Sequence, residues 1–364
     1  MSGALIAMSG GVDSSVAAFL TVEQGLDCIG SMMKLFSNED IGEDCRKNCC
    51  SLADAEDARA VAYKLGIPFY VFNYTDAFKK HVISAFVEAY QNGKTPNPCI
   101  DCNRHLKFEH LLRRAMELEK DYIVTGHYSQ IEYDSGSGRY LLKKGIDSSK
   151  DQSYVLYSMT QRQLSHTLFP LGGFYKTQVR EIALQNGFVN ANKHDSQDIC
   201  FVRNGVYADF IEEYTGCQST KGRFTDTYGN DLGEHKGIMH YTIGQRKGLG
   251  ITAPKPYYVC DISPKDNRVV VGSEKELFSR TLYAKDINFI PFDSLDGSLK
   301  VTAKLRYKQP EQPAALRQID SDTFMVEFEH PQRAITKGQA VVLYDGDMVI
   351  GGGTITGAEY DKFD

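Results

Sequence analysis

The sequence predicts a doubly wound α/β domain with a parallel sheet, then a small mixed central domain, then a C-terminal antiparallel β-barrel. Three observations predict it. Short apolar runs alternate with helical patterns over the first two hundred residues, and strands alternating with helices build a parallel sheet. From about Val206 the alternation gives way to a Gly-rich stretch with short strands, and beyond about Leu282 the pattern is all strand. The expected division is 1–205, 206–281 and 282–364.

The first strand is Ala4-Leu5-Ile6-Ala7, and Val16-Ala17-Ala18-Phe19-Leu20 opens a packed helix. Between them stands Ser9-Gly10-Gly11-Val12-Asp13-Ser14. A glycine-rich turn ahead of a helix leaves first-turn N–H groups unpartnered, and with the helix dipole these seat phosphate. The kinase-type G-x-x-x-x-G-K-[ST] lysine is absent. Backbone amides, small hydroxyls and a metal near Asp13 are therefore expected to hold the phosphates. A second strand follows at Asp27–Met33. Ser51 to Asp54 reads as a capping box that opens a helix ended by Gly66. Phe69–Phe72 is a third strand. The helix from Asp76 carries Phe78, Val82, Phe86 and Tyr90 on one face, another spans Leu106 to Leu118, and Tyr122–Thr125 is a fourth strand ending at Gly126-His127. Ligands of such sheets sit beyond the carboxyl ends of the strands, where both Ser9–Ser15 and Gly126-His127 fall. Tyr128–Tyr133 and Arg139–Lys143 form a hairpin. The barrel strands are Lys300–Tyr307, Thr323–Glu329, Ala340–Tyr344 and Met348–Ile355, the last two joined by the Asp345-Gly346 hairpin signal.

The 364 residues carry 24% charged and 42% hydrophobic side chains, ordinary for a soluble protein, and a formal charge of −6. That charge excludes a uniformly basic nucleic-acid coat but not a local basic face. Lys236, Arg246, Lys247 and Lys255 lie in a run to Cys260 without Asp or Glu, which reads either as a solvated loop or as a binding surface. No signal peptide or membrane span is legible, so a cytoplasmic location is expected and the nine cysteines are not a disulfide framework. Cys28, Cys217 and Cys260 read as small buried hydrophobes.

"KTPNPCIDCN" (94–103) places Cys99-x-x-Cys102 after two prolines that set an extended turn. Alone, the pair suggests redox chemistry or half a metal site, with Cys45, Cys49 and Cys50 an imperfect second half for zinc. "HDSQDICF" (194–201) sets Cys200 among acids.

The loop at 9–14 resembles the pyrophosphate (PP) loop of Rossmann-like ATP pyrophosphatases. Together with "TPNPCIDCN", "TGHY", "KDQSYVLY", "DSQDICF" and "TIGQRKGLGI", in this order along the chain, it is similar to the tRNA 2-thiouridylase family. The resemblance implies ATP-dependent adenylation of the wobble uridine C2 oxygen, then sulfur transfer that yields 2-thiouridine, AMP and pyrophosphate. Cys200 matches the cysteine that bears the persulfide and Cys102 the nucleophile; a disulfide between them is implied during turnover. Ala7, Met8, Ser9, Gly10, Gly11, Val12, Asp13 and Ser14 match the ATP phosphate loop, Met33 the base contact and Gly126 the ribose or adenine contact, with Mg2+ near Asp13. Asn97, Pro98 and Cys99 match the pocket of the extruded base. His127, Lys150, Asp151, Gln152, Arg306, Tyr307 and Gln339 match tRNA-contacting positions. The resemblance also implies tRNA and a sulfur donor, either a persulfide relay protein or a cysteine desulfurase, as partners.

Several alternatives stay open. Met33 reads equally as core, and Arg306-Tyr307 as an exposed arginine beside a half-buried ring on a strand. Cys99 stands where a well-known family pattern has Asp, so a carboxylate role does not transfer. Cys99, Cys102 and Cys200 are also a candidate iron–sulfur ligand set. Rival functions are a small-molecule synthetase of the same ATP-splitting group and an iron–sulfur RNA-binding scaffold.

Overall fold

The structure is a computed structural model describing residues 2–36, 52–195, 199–202 and 207–360. Ser51 and Cys45, Cys49 and Cys50 lie outside the described residues, as do 196–198 of the second cysteine motif. The chain divides into two compact units. One comprises 1–83, 98–201 and 347–349; the other comprises 84–97, 202–346 and 350–364.

The first unit is built on five parallel strands: β1 (Gly3–Ala7), β2 (Asp27–Lys34), β3 (Phe69–Asn73), β4 (Tyr122–Val124) and β7 (Thr167–Leu168), in the order β3-β2-β1-β4-β7. Ala4, Leu5 and Ile6 of the central β1 are fully buried, as expected for a strand covered on both faces. Helix α1 (Val12–Glu23) buries Val12, Val16, Ala17 and Ala18 in this core together with Ala58, Val61 and Ala62 of α2 (Leu52–Lys64). The hairpin is β5 (Ser129–Asp134) with β6 (Arg139–Lys144), and Lys143 pairs with Met348 of the same unit.

The expected helix from Leu106 starts earlier. Helical backbone begins at α5 (Pro98–Asp101) and continues as a π-helix, Cys102–Leu111, into α6 (Leu112–Glu117). Pro98 does not hold the thiols in an extended turn. With its fixed φ and missing N–H it opens the helix, so Cys99 and Cys102 are helical. The helix read from Asp76 is α3 (Thr75–Phe78), a π-turn Lys79–Ile83, and α4 (Ser84–Gln91) in the second unit. Two further helices, α7 (Gln161–Ser165) and α8 (Lys176–Gln185), belong to the first unit.

In the second unit α9 (Tyr207–Thr215) packs against α4: Tyr207 stacks on Tyr90 at 5.8 Å and Phe210 meets Phe86 at 6.3 Å. A four-stranded sheet follows, in the order β10 (Tyr258–Ser263), β11 (Arg268–Gly272), β8 (Gly222–Asp226), β9 (Asp231–His235). The barrel has six strands: β12 (Phe278–Phe289), β15 (Phe324–Arg333), β14 (Gln312–Gln318), β13 (Ser298–Lys304), β16 (Ala340–Asp345) and β17 (Met348–Tyr360). Pairing of β12 with β17 closes it. Arg306 and Tyr307 do not extend a strand; β13 ends at Lys304 and they occupy the turn that follows. Among the described residues no helix is long and apolar enough to cross a membrane.

Candidate active site

The loop after β1 is shaped by Gly10, whose φ is +74°; a Cβ there would stand 2.3 Å from the Asp54 carbonyl oxygen. Gly11 is the N-cap of α1 and has no side chain to cap it, which leaves the first-turn N–H groups for a ligand. The serines are spent on holding the loop: Ser14 Oγ donates to Gly11 O (3.0 Å) and accepts from Ser9 N (3.1 Å), while Ser15 Oγ donates to Gly11 O (3.1 Å). Gly126, after β4, lies directly on this turn. A Cβ on it would meet Asp13 C at 2.8 Å and Ser14 N at 2.9 Å, so only glycine admits this approach. Ser9 is exposed and Asp13 half-buried, whereas Met8 and Val12 face the core. Met33 is half-buried at the carboxyl end of β2, beside Met32, which is buried.

A lysine is present after all, from far along the chain. Lys176 Nζ, at the start of α8, sits 2.7 and 2.8 Å from the two Asp13 carboxylate oxygens and 2.8 Å from Asp195 Oδ1. Asp195 also accepts from Lys150 (2.7 Å) and Arg180 (3.1 Å). Burial opposes ionisation of Asp195, but the hydrogen bonds from Lys150 and Lys176 prevail and hold its carboxyl below the usual value. Tyr128 OH donates to Asp13 Oδ1 (2.7 Å), and burial together with that carboxylate raises the phenol so that it stays protonated. From behind, Asn190 Nδ2 (3.0 Å) and Lys193 Nζ (3.1 Å) donate to the Gly10 carbonyl, turning the loop's amides away from it. Asp13, Asp195, Lys150, Lys176 and Arg180 sum to one positive charge beside this loop. Lys176, Asn190 and Lys193 carry no local signal for the loop, because Asp13, Gly10 and Asp54, which they bond, lie more than a hundred residues away in sequence.

The Cys102 helix reaches the residue that follows Gly126 through its next turn. Phe108 packs on the His127 ring (5.9 Å), Lys107 Nζ approaches His127 Nε2 (3.5 Å), and Asn103 Nδ2 anchors the helix on Val155 O (3.0 Å). The segment of Cys200 is held on both sides: Asp195 belongs to the Asp13–Lys176 network, and Phe201 packs edge-on against Phe78 of α3 at 5.7 Å. Helix α3 also packs on the Cys102–Leu111 helix, so one short helix contacts both cysteine-bearing segments. Cys102 and Cys200 are each partly exposed.

Three domain families match the chain in succession: one described as tRNA methyl transferase HUP domain at residues 3–204, one as tRNA methyl transferase PRC-barrel domain at 208–273, and one as aminomethyltransferase beta-barrel domain at 279–355. A protein of Clostridioides difficile (strain 630) described as a tRNA-specific 2-thiouridylase is 52% identical over 351 residues, covering 96% of this chain and 97% of its own. Relatives with the same description from Thermoanaerobacter sp. (strain X514) and Acetivibrio thermocellus are 52% and 51% identical over 354 residues, each covering 96% of this chain and 97% and 98% of their own. The chain belongs to the tRNA-specific 2-thiouridylase family.

In this 2-thiouridylase-family chain the positions expected to meet tRNA fall into two kinds. Several are engaged within the fold. The His127 ring is buried; burial, then the Lys107 charge, keeps it neutral far below the usual histidine range, with Nδ1 2.6 Å from Thr125 Oγ1. Asp151 accepts from Gly145 N, Ser153 N and Ser153 Oγ. Gln152 Oε1 accepts from Tyr128 N (3.0 Å), bracing the tyrosine on Asp13. In the second unit Gln339 Nε2 donates to Thr95 O (2.8 Å) and Pro96 O (3.3 Å), which fixes the approach to Asn97. The others differ in exposure: Cys99 and Arg306 are exposed and Asn97 and Tyr307 half-buried, whereas Pro98 is buried. Arg306 Nη2 donates to Ala334 O and Thr336 Oγ1, both at 3.1 Å. The basic run of the second unit lines a shallow hollow with Arg246, Ile251, Lys255 and Tyr257.

Among the described residues no three His, Cys, Asp or Glu side chains are grouped to hold a metal, and Cys99, Cys102 and Cys200 are all described. The remaining cysteines divide by burial. Cys28 and Cys260 are buried, which pushes their thiols up to about 11 and about 12. Cys217 is exposed, against the expectation of a buried residue.

Proposed function

We propose that this protein is an ATP-dependent tRNA uridine 2-sulfurtransferase acting on the wobble uridine. The observation that carries the reading is the contact chain Cys102 helix–His127–Gly126–phosphate loop, which sets a thiol-bearing helix against a nucleotide pocket. ATP seats its phosphates on the amides from Gly11 onward, with its base beside Met33 and Gly126. Magnesium accompanying ATP would neutralise charge on the phosphates and would need a carboxylate of this chain to hold it. Asp13 is the carboxylate at hand.

The uridine O2 attacks the α-phosphorus and pyrophosphate leaves, making C2 carry an AMP leaving group. The terminal sulfur of a Cys200 persulfide attacks C2, AMP departs with the original oxygen, and a Cys200–S–S–C2 adduct forms. Cys102 thiolate then attacks the Cys200 sulfur, which releases 2-thiouridine and leaves a Cys102–Cys200 disulfide for an external thiol to reduce. A persulfide relay protein or cysteine desulfurase charges Cys200. Asn97 to Cys99 receive the target base once it leaves its stack, and Arg306, Tyr307 and Gln339 are tRNA-contacting positions of the second unit. The division 1–205, 206–281 and 282–364 accompanies this reading and is supported by the successive family matches. The expected cytoplasmic location accompanies this reading.

The test is direct. Incubation with ATP, magnesium, a persulfide donor and unmodified tRNA should give 2-thiouridine by nucleoside mass spectrometry, and Cys102→Ala or Cys200→Ala should abolish it. Unchanged yield in both variants rejects the thiol roles. Pyrophosphate release indifferent to tRNA would return the protein to small-molecule synthetases.

A further inference from the structure

A line of aromatic rings runs from the edge of the parallel sheet to the helix that carries Cys102, and no step above uses it. Tyr70 and Phe72 of β3 stack at 6.4 Å with 13° between planes; Phe72 meets Tyr74 at 6.5 Å, and Tyr74 meets His110 at 5.9 Å. His110 meets His81 at 5.9 Å, and His81 stacks on His105 at 4.9 Å with 27° between planes. His105 stands three residues from Cys102. β3 is the outermost strand of its sheet, and Tyr70 is 51% exposed. Half-exposed tyrosine on an edge strand adds little to a core.

The rings are interleaved with cations. The Arg114 guanidinium lies 5.4 Å from the Phe72 centroid, and Arg113 Nη2 is 2.9 Å from His110 Nδ1. The two π-helical segments and α6, residues 79–83 and 102–117, carry six Lys and Arg against two Glu, in a chain whose formal charge is −6. The acids, Glu109 and Glu117, are paired with His105 and with Arg114. A local basic strip with ring faces at intervals is what single-stranded nucleic acid requires: bases stack on rings and guanidinium planes while cations follow the phosphates.

We propose that this ladder is an RNA-docking strip on which the unpaired nucleotides flanking the target uridine stack, leading the strand toward Cys102. It rests on the tRNA reading above and adds residues which that reading leaves without a role. A protein partner would also use exposed rings, but it has no need for cations alternating with them.

The test uses the full-length protein and an RNA stem-loop bearing the target uridine in its unpaired loop, with binding followed by fluorescence anisotropy over a range of salt. Tyr70→Ala, at an exposed position, should loosen RNA about tenfold at every salt concentration. Arg113→Gln should loosen it and flatten the salt dependence by about one phosphate contact. Both should leave ATP affinity unchanged. Unaltered RNA affinity in the two variants overturns the proposal while the tRNA reading stands. If RNA affinity is unaltered but sulfur uptake from a persulfide donor protein falls, the strip is a protein-docking face and the proposal is again overturned. Failure of the wild-type protein to bind the stem-loop would overturn the tRNA reading and this proposal together.

Discussion

Lys176→Met probes the electrostatics of the phosphate seat. The ammonium uses its three hydrogens on Asp13 Oδ1, Asp13 Oδ2 and Asp195 Oδ1, at 2.7, 2.8 and 2.8 Å. Its side chain is 10% exposed, against 30% for Asp13. Without it Asp13 keeps, among the described residues, only the Tyr128 hydroxyl, and a carboxylate faces incoming phosphate. Two unit charges about 5 Å apart at an effective dielectric of about 20 repel by about 3 kcal/mol, which is about a hundredfold in affinity. Asp195 keeps Lys150 and Arg180, so the fold should survive with a loss of about 1–2 kcal/mol, after discounting for the exposure of Asp13. The assay is isothermal titration with ATP, AMP and adenosine in parallel. ATP should weaken about a hundredfold, AMP less, and adenosine hardly at all, while Lys176→Arg restores most of the ATP affinity. Equal losses for ATP and adenosine would refute the argument, since a merely loosened pocket does not count phosphates.

Three further outcomes follow from the same geometry. Gly126→Ala drives a Cβ into the backbone of Asp13 and Ser14 at 2.8 and 2.9 Å, so ATP affinity should fall at least about tenfold at a stability cost of about 1–3 kcal/mol; titration and thermal melting check both. His81 and His110 are held below the usual histidine value by burial first, then by cationic neighbours (His105 and Lys80 for His81, Arg113 for His110), with Glu109 opposing. RNA phosphate favours their protonated forms. RNA should therefore bind tighter as pH falls below the usual histidine value of 6.5, and His81→Gln with His110→Gln should flatten that slope. At pH 8, brief alkylation of the native protein followed by peptide mass spectrometry should spare Cys28 and Cys260, whose thiols lie up at about 11 and about 12, and label exposed Cys217.

The legible parts of this chain are those in which local pattern and tertiary environment agree. β1 reads as a buried strand because Ala4–Ile6 are apolar without interruption, and the Gly10-Gly11 turn announces its own backbone demands. The Cys102 helix was misplaced at its start because proline serves both extended turns and first helical positions, and only the packing of Ile100 and Leu106 decides. Strand β14 is not legible in the sequence, since Gln312–Gln318 contains Pro313 and no β-branched residue; its barrel neighbours impose the conformation. Lys176 was invisible for a different reason. Its role is an ion pair to Asp13 that exists only after the chain has closed a loop of 163 residues. The Lys150-Asp151-Gln152 motif was conspicuous in the sequence, yet Asp151 and Gln152 brace the pocket from within. A motif alone does not distinguish bracing from direct contact.

The central claim is that ATP activates the uridine oxygen itself, and isotope transfer tests it most directly. With tRNA transcribed from UTP carrying 18O at O2, AMP formed in the complete reaction should gain one 18O for each 2-thiouridine produced. AMP without the label, with 2-thiouridine still accumulating, would show that the oxygen leaves by another route and would contradict the account.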